Sequence, residues 1–315
     1  MPQTSNIQSN TTYTKSLKTQ QSTPFSHQFL SSPWPQRLDA KLVHSTQSEL
    51  HLELPFHKRI TNHAGFVHGG TIASMLHDAG YLLAQQCLSN PCLENNALQD
   101  PEALHVETID CQIFYLNAAK NTSLKFQAVL LKQSKRLAFI EVNALDHENN
   151  LVSKCHCSFG TWEGVERNSH WQRKHLELLD LTPEPHPTKY FWDTMIHKPE
   201  KGMHLEQMGS GYCRIKIDPQ PRFLDLNDEI AHGALLSIAD NVGTLASTTE
   251  LKAASNGSTI DLSITFCERI KDESIICFGE FTSQKGSQLN SHFFMVGETS
   301  HALKAFGTTT MWIKT

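Results

Sequence analysis

One pattern occurs twice in this chain, in the same order. "TIDCQIFYL" begins at Thr108 and "TIDLSITF" begins at Thr259. Both alternate apolar and polar residues, the two-residue period of a half-buried strand. Before the first lies "HGGTIASMLHDAG", starting at His68; before the second lies "HGALLSIADNVG", starting at His232. Ile72, Met75, Leu76, Ala79 and Leu83 recur at helical spacing in the one, and Leu235, Ala239, Val242 and Ala246 in the other. Strand-like runs surround each helix. In the first copy they are 49–54, 124–131, 137–146 and 151–162; in the second, 212–217, 274–281, 292–296 and 302–313. "SPWPQRLDAKL" and "HPTKYFWDTMI" read as short leading helices, and Pro91 and Asn256-Gly257 as helix stops. "KQSKR", from Lys132, reads as a solvated hairpin turn rather than a phosphate clamp.

An antiparallel sheet needs one face covered, and each copy offers one long helix to cover it. The expected class is therefore α+β: two tandem units, each an antiparallel sheet wrapped around one long helix. The expected division of the 315 residues is a disordered tail at 1–24, a first domain at 25–165, a linker at 166–186 and a second domain at 187–315. The tail is rich in Ser, Thr, Gln and Asn with little to bury, and the linker ends in Pro183, Pro185 and Pro187.

Composition narrows the partners. Net charge is -5 and no dense Lys/Arg run occurs, which argues against nucleic acid. No run approaches the roughly 20 apolar residues of a membrane span, and no basic start precedes an apolar segment, so a cytoplasmic location is expected. Eight cysteines in so long a chain read as reduced thiols. Cys155 and Cys157 form a lone Cys-x-Cys in an alternating strand, and read as two small apolar groups on one face rather than metal ligands. No metal and no cofactor are expected.

Taken together, Asn-x-x-Gly-x-x-His-Gly-Gly, an acid on the following helix and a Thr-Ile-Asp strand resemble the hotdog-fold acyl-CoA thioesterases of the phenylacetyl-CoA thioesterase type. The first copy supplies Asn62, Gly65, His68, Gly69, Gly70 and Thr108; the second supplies Asn227, His232, Gly233, Asp240 and Thr259. The resemblance implies tandem hotdog domains packed as a pseudo-dimer, with sites between the halves and an acyl-CoA substrate; a homodimer of such chains stays open. In that family the acid follows the His by nine residues. In the first copy this position is His77, with Asp78 one residue late; in the second, Asp240 is only eight after His232. Aligning Ala231-His232-Gly233 with His-Gly-Gly restores the nine.

The residue types suit thioester hydrolysis. An Asp can activate water, and backbone N–H groups at a helix start can hold an oxyanion. The expected catalytic set is Asp240 and Asp78 with Thr259 and Thr108; the expected substrate-binding set is Asn62, His68, Gly69, Gly70, Asn227, His232 and Gly233. One composite site would join the first loop to Asp240 and Thr259. Its reciprocal, Asp78 and Thr108 facing His232 and Gly233, is expected to be weaker. The bland readings are a capping role for the acids, turn preference for the asparagines and strand preference for the threonines. Two other functions compete: a non-catalytic acyl-CoA or lipid sensor, and a hydratase, whose Asp-x4-His pairing neither helix contains.

Overall fold

The computed structural model describes residues 24–62, 65–88, 106–161, 202–250 and 257–313. The linker and the second leading helix lie outside the described residues, as does the tail except Pro24. Two short helices open the described chain, α1 (Pro24–Leu30) and α2 (Pro33–Leu38), followed by β1 (Lys41–Ser45), β2 (Glu49–Leu54) and the long α3 (Gly69–Leu88). Then come β3 (Val106–Tyr115), β4 (Leu124–Gln133), β5 (Leu137–Leu145) and β6 (Leu151–Thr161). The second half repeats the order with β7 (Met203–Gly209), β8 (Tyr212–Ile217), α4 (His232–Thr248), β9 (Gly257–Phe266), β10 (Ile275–Lys285), β11 (Gln288–Gly297) and β12 (Leu303–Ile313).

All twelve strands form one antiparallel sheet, in the order β1-β2-β4-β5-β6-β3-β9-β12-β11-β10-β8-β7. Read inward from either edge, the two halves have the same order. They meet where β3 pairs with β9, from Asp110 opposite Thr265 to Phe114 opposite Asp261. That pairing removes the one edge each half would otherwise leave open at the centre. The strands alternate as the sequence demands: in β2, Leu50, Leu52 and Leu54 are wholly buried, each contributing about 1.5–3 kcal/mol by leaving water. The hairpin between β4 and β5 is closed by the Ser134 N–H on the Leu137 carbonyl, in the expected "KQSKR" turn.

Both long helices lie against the sheet and against each other. In α3, 17 of 20 residues are buried, so it is a core helix on all sides rather than an amphipathic surface helix. The helices approach closely because each has glycine as its second residue, Gly70 and Gly233. A side chain at Gly70 would meet Ser237 of α4, its Cβ only 2.7 Å from the Ser237 Cα; one at Gly233 would meet Ser74 of α3.

Two expectations need correction. The stop expected at Asn256-Gly257 is wrong: α4 ends at Thr248, and Gly257 opens β9. The Thr248 and Thr249 hydroxyls donate to the Leu245 and Ala246 carbonyls, so threonines rather than glycine satisfy the last turn. Strands β1 and β7 were not expected at all. They are the sheet's two edges, each with one neighbour, and their alternation is too weak to read as a strand.

Candidate active site between the two halves

The turn before α3 is built from its own side chains. Asn62 accepts from the Phe66 N–H at 3.1 Å through Oδ1, while its N–H donates to the Phe66 carbonyl. Gly65 takes a positive φ of 80° within this turn, which glycine adopts without strain. His68 ends the turn, and its Nδ1 accepts from the Gly70 N–H at 3.0 Å. Thr71 and Ile72 donate to the His68 carbonyl. Among the described residues nothing accepts from the Gly69 N–H. It is an unspent donor at the positive end of a 20-residue helix.

Across from it stands Asp240, on α4. Its Oδ1 accepts from the Thr259 hydroxyl of β9 at 2.8 Å. Its Oδ2 faces Gly69: a Cβ there would lie 2.8 Å from that oxygen. Glycine is needed at this position because any side chain would occupy the space before the carboxylate. The His68 Nδ1 is 3.9 Å from Oδ2. The same nitrogen accepts from the Gly70 N–H. Tyr115, at the end of β3, donates to the Gly69 carbonyl at 3.1 Å. Burial first, and then the charge of Asp240, hold its phenol well above the usual value, so it stays protonated. The His68 side chain is 27% exposed and that of Asp240 only 8%, so a nearly dry carboxylate lies beside a partly exposed ring.

The reciprocal position has the same backbone and different chemistry. The three-residue turns Lys58–Ile60 and Pro221–Phe223, the bridges Thr61↔Val67 and Leu224↔Ile230, and the two helix starts all match. Counted from these, Ala231 stands where His68 does, His232 where Gly69 does and Gly233 where Gly70 does. His77 then corresponds to Asp240, and Phe266 to Tyr115. Asn227 does not correspond to Asn62. It is exposed, and Asp225 folds this turn, its Oδ1 accepting from the Asn227 and Glu229 N–H groups. Asx turns form equally well with Asp, so spelling alone misplaced the asparagine.

The result is a closed polar cluster. His77 Nε2 and His232 Nδ1 both contact the Thr108 hydroxyl at 2.9 Å, and His77 Nδ1 contacts Asp78 Oδ1 at 3.0 Å. The His232 ring stacks on Phe266 at 4.2 Å, at the helix position that Gly69 holds in the first half. Trp34 of α2 covers the cluster, donating to Ser74 at 2.7 Å. His77, Asp78, Thr108 and His232 are all buried. Burial, then the charges of Arg269 and His77, hold His232 well below its usual pKa. Burial raises that of Asp78, opposed by the hydrogen bond from His77.

The sign of the His232 shift gives an expected result. A histidine kept neutral by the fold adds stability that is complete above its unfolded pKa near 6.5 and lost as pH falls below it. Asp78 acts oppositely, since its raised pKa relieves strain on protonation. Urea unfolding between pH 7 and pH 5 should show His232→Gln losing less stability than wild type, by up to about 1.4 kcal/mol per pH unit. Equal slopes would show that His232 titrates normally.

Of the residues gathered around Gly69 and Asp240, Tyr115 is the one not expected from the sequence. Its signal was present as the aromatic residue closing the "TIDCQIFY" strand, but the contact with Gly69 spans two elements.

Comparisons with known proteins bear on the fold. A family model described as the thioesterase superfamily matches residues 64–153. A Halobacterium salinarum protein named as an inferred esterase is 33% identical over 86 residues, 26% of this chain and 50% of that one, so the chain spans half the length of this relative. Among solved structures, a TesB protein of Mycobacterium avium subspecies paratuberculosis superposes with a TM-score of 0.60 at 13% identity, over 87% of this chain and 96% of that chain. An acyl-CoA thioesterase II of Mycobacterium marinum gives 0.56 at 13%, and a hot-dog-fold protein of Alicyclobacillus acidocaldarius 0.57 at 13%; both cover 87% of this chain and 96% of theirs. These likenesses show the fold. The chain is a tandem hotdog, and residues 64–153 are the part similar to the thioesterase superfamily.

Proposed function

We propose that this tandem hotdog chain hydrolyses an acyl-CoA thioester at a single site, made of Gly69, His68 and Tyr115 from the first half and Asp240 and Thr259 from the second. The observation that supports it is the Asp240 carboxylate, anchored at one oxygen by Thr259 and standing with the other against Gly69, the residue that opens α3.

The thioester carbonyl accepts from the Gly69 N–H, where the dipole of α3 adds to the hydrogen bond. Asp240 Oδ2 takes a proton from a water as its oxygen attacks the carbonyl carbon. Thr259 fixes the carboxylate's orientation and leaves Oδ2 free to act as base. The tetrahedral oxyanion then collapses and the C–S bond breaks. The thiolate leaves readily, since thiols have pKa values near 8.5, and the proton held by Asp240 passes to it. His68 and Asn62 hold the turn that presents Gly69, and Tyr115 steadies the next peptide by donating to the Gly69 carbonyl. Gly70 acts through packing, because its N–H is already bound to His68.

The reciprocal site does no hydrolysis in this reading. His77 replaces the acid, and the His232 ring occupies the carbonyl's place. Asp78 turns to His77, and its other oxygen is buried with no partner among the described residues.

The test is release of free thiol from a panel of acyl-CoA thioesters by the purified chain. Release with at least one acyl group is expected. Binding of an acyl-CoA without release would leave a binding protein in place of an enzyme.

A further inference from the structure

Beneath α3, three thiols meet that no spacing rule brings together. Cys155 and Cys157 lie on one face of β6, and Cys111 of β3 is the cross-strand partner of Cys157. A bulge between Thr108 and Asp110 turns Cys111 to the same face as Thr108. The three sulfurs all lie within 4.8 Å of one another, and those of Cys155 and Cys157 are 3.1 Å apart. All three residues are buried.

The second half is an internal control. There Leu262 pairs with Thr309, and Ile264 with Gly307, as Cys111 pairs with Cys157 and Ile113 with Cys155. The same three places in the same fold therefore hold Leu262, Gly307 and Thr309. The hotdog sheet does not require cysteine at any of them, and packing alone leaves three cysteines together unexplained.

We propose that Cys111, Cys155 and Cys157 form a trigonal site for a soft, thiophilic metal ion of the filled-shell class. Metal–sulfur bonds of about 2.3 Å set the sulfurs of a planar trigonal site roughly 4.0 Å apart, within the span these side chains already occupy. Thiolates select soft ions over magnesium or calcium. Each S–metal bond forms as that thiol gives its proton to solvent, with no change of oxidation state. His156, between the two β6 cysteines, points to the opposite face and contacts Glu141 at 3.1 Å, so it is no ligand. The site lies on the same strand as Thr108 and Tyr115, and a bound ion would tie β3 to β6 beneath the open site.

Burial means that the ion enters as the chain folds. The full chain is refolded under reducing conditions with Cd(II), freed of excess by gel filtration, and measured for metal content and for a thiolate-to-cadmium absorption band. One Cd(II) per chain with the band is expected. The double variant Cys111→Leu, Cys157→Thr imports residues that the second half already accommodates. It should refold with unchanged circular dichroism, retain no Cd(II) and lack the band. Two results would overturn the proposal: wild type retaining no ion although its thiols titrate as reduced after denaturation, or the variant retaining as much as wild type. A variant that fails to refold is replaced by Cys157→Ser, judged by the same two readouts.

Discussion

Asp240→Asn is expected to lower kcat/KM for thioester hydrolysis by about 10²–10⁴-fold, the usual contribution of a general base, while the folded structure is kept. The amide is the same size as the carboxylate and can still accept from Thr259 through its oxygen, so the α4–β9 contact survives. What is lost is the basic oxygen facing Gly69. Asp78→Asn makes the control. Asp78 is bonded to His77 inside a closed cluster and faces no opening, so its amide variant should keep nearly the wild-type rate. Steady-state rates of the two variants on one acyl-CoA decide between the sites. Loss of turnover in Asp78→Asn with survival in Asp240→Asn would assign the chemistry to the closed cluster and reverse the roles of the halves. Wild-type rates in both would remove the carboxylate from the mechanism.

The largest expected effect on stability belongs to Arg269→Met. The guanidinium Nε donates to Glu107 Oε2 at 2.8 Å, and its Nη1 reaches Asp225 Oδ2 at 3.1 Å and Glu229 Oε2 at 3.5 Å. Glu107 belongs to β3 of the first half, whereas the other two lie in the turn that precedes α4, so one cation joins the halves. Burial alone would lower the pKa of Arg269, but the surrounding carboxylates outweigh it and raise it. Methionine fills much of the same space and leaves three acids largely shielded from water without their cation. Breaking a buried pair from one side costs about 3–5 kcal/mol. Urea denaturation should therefore show a loss of that size, with the denaturant slope unchanged. A loss below about 1 kcal/mol would place the network among solvated surface pairs. None of these residues contacts Gly69 or Asp240, so thioester hydrolysis by the folded variant should persist.

Much of this was legible because strand and helix periods are local. The spans 49–54 and 212–217 emerged with the bounds observed for β2 and β8, since each has a buried face that fixes every second residue. The edge strands β1 and β7 were not legible, because an edge can form on backbone pairing with little apolar alternation. The candidate site was legible as a list: Asn62, His68, Gly69 and Asp240 are unusual residue types for a core helix and its approach, and Thr259 opens the repeated Thr-Ile-Asp strand. Its counterpart misled, because His232-Gly233 spells part of the motif while standing one helical position later than His68-Gly69. The thiol cluster was legible only in its Cys155-Cys157 half.

Sequence by itself determined the tandem repeat, the two core helices, the glycines at their starts and the presence of one acid on each. Those features follow from periodicities of two and 3.6 residues and from the steric freedom of glycine, which act over a few neighbours. Only the tertiary structure decided which acid meets an open helix terminus. One residue along a helix turns a side chain by about 100°. Asp78 is thereby swung onto His77, with its Oδ1 also beside Gly233, while Asp240 is held by Thr259 with its Oδ2 against Gly69. Whether that space is open or filled depends on a single side chain at the helix start, Gly69 in one half and His232 in the other, and the acid it concerns lies on the opposite helix, brought near only when the two halves pack together.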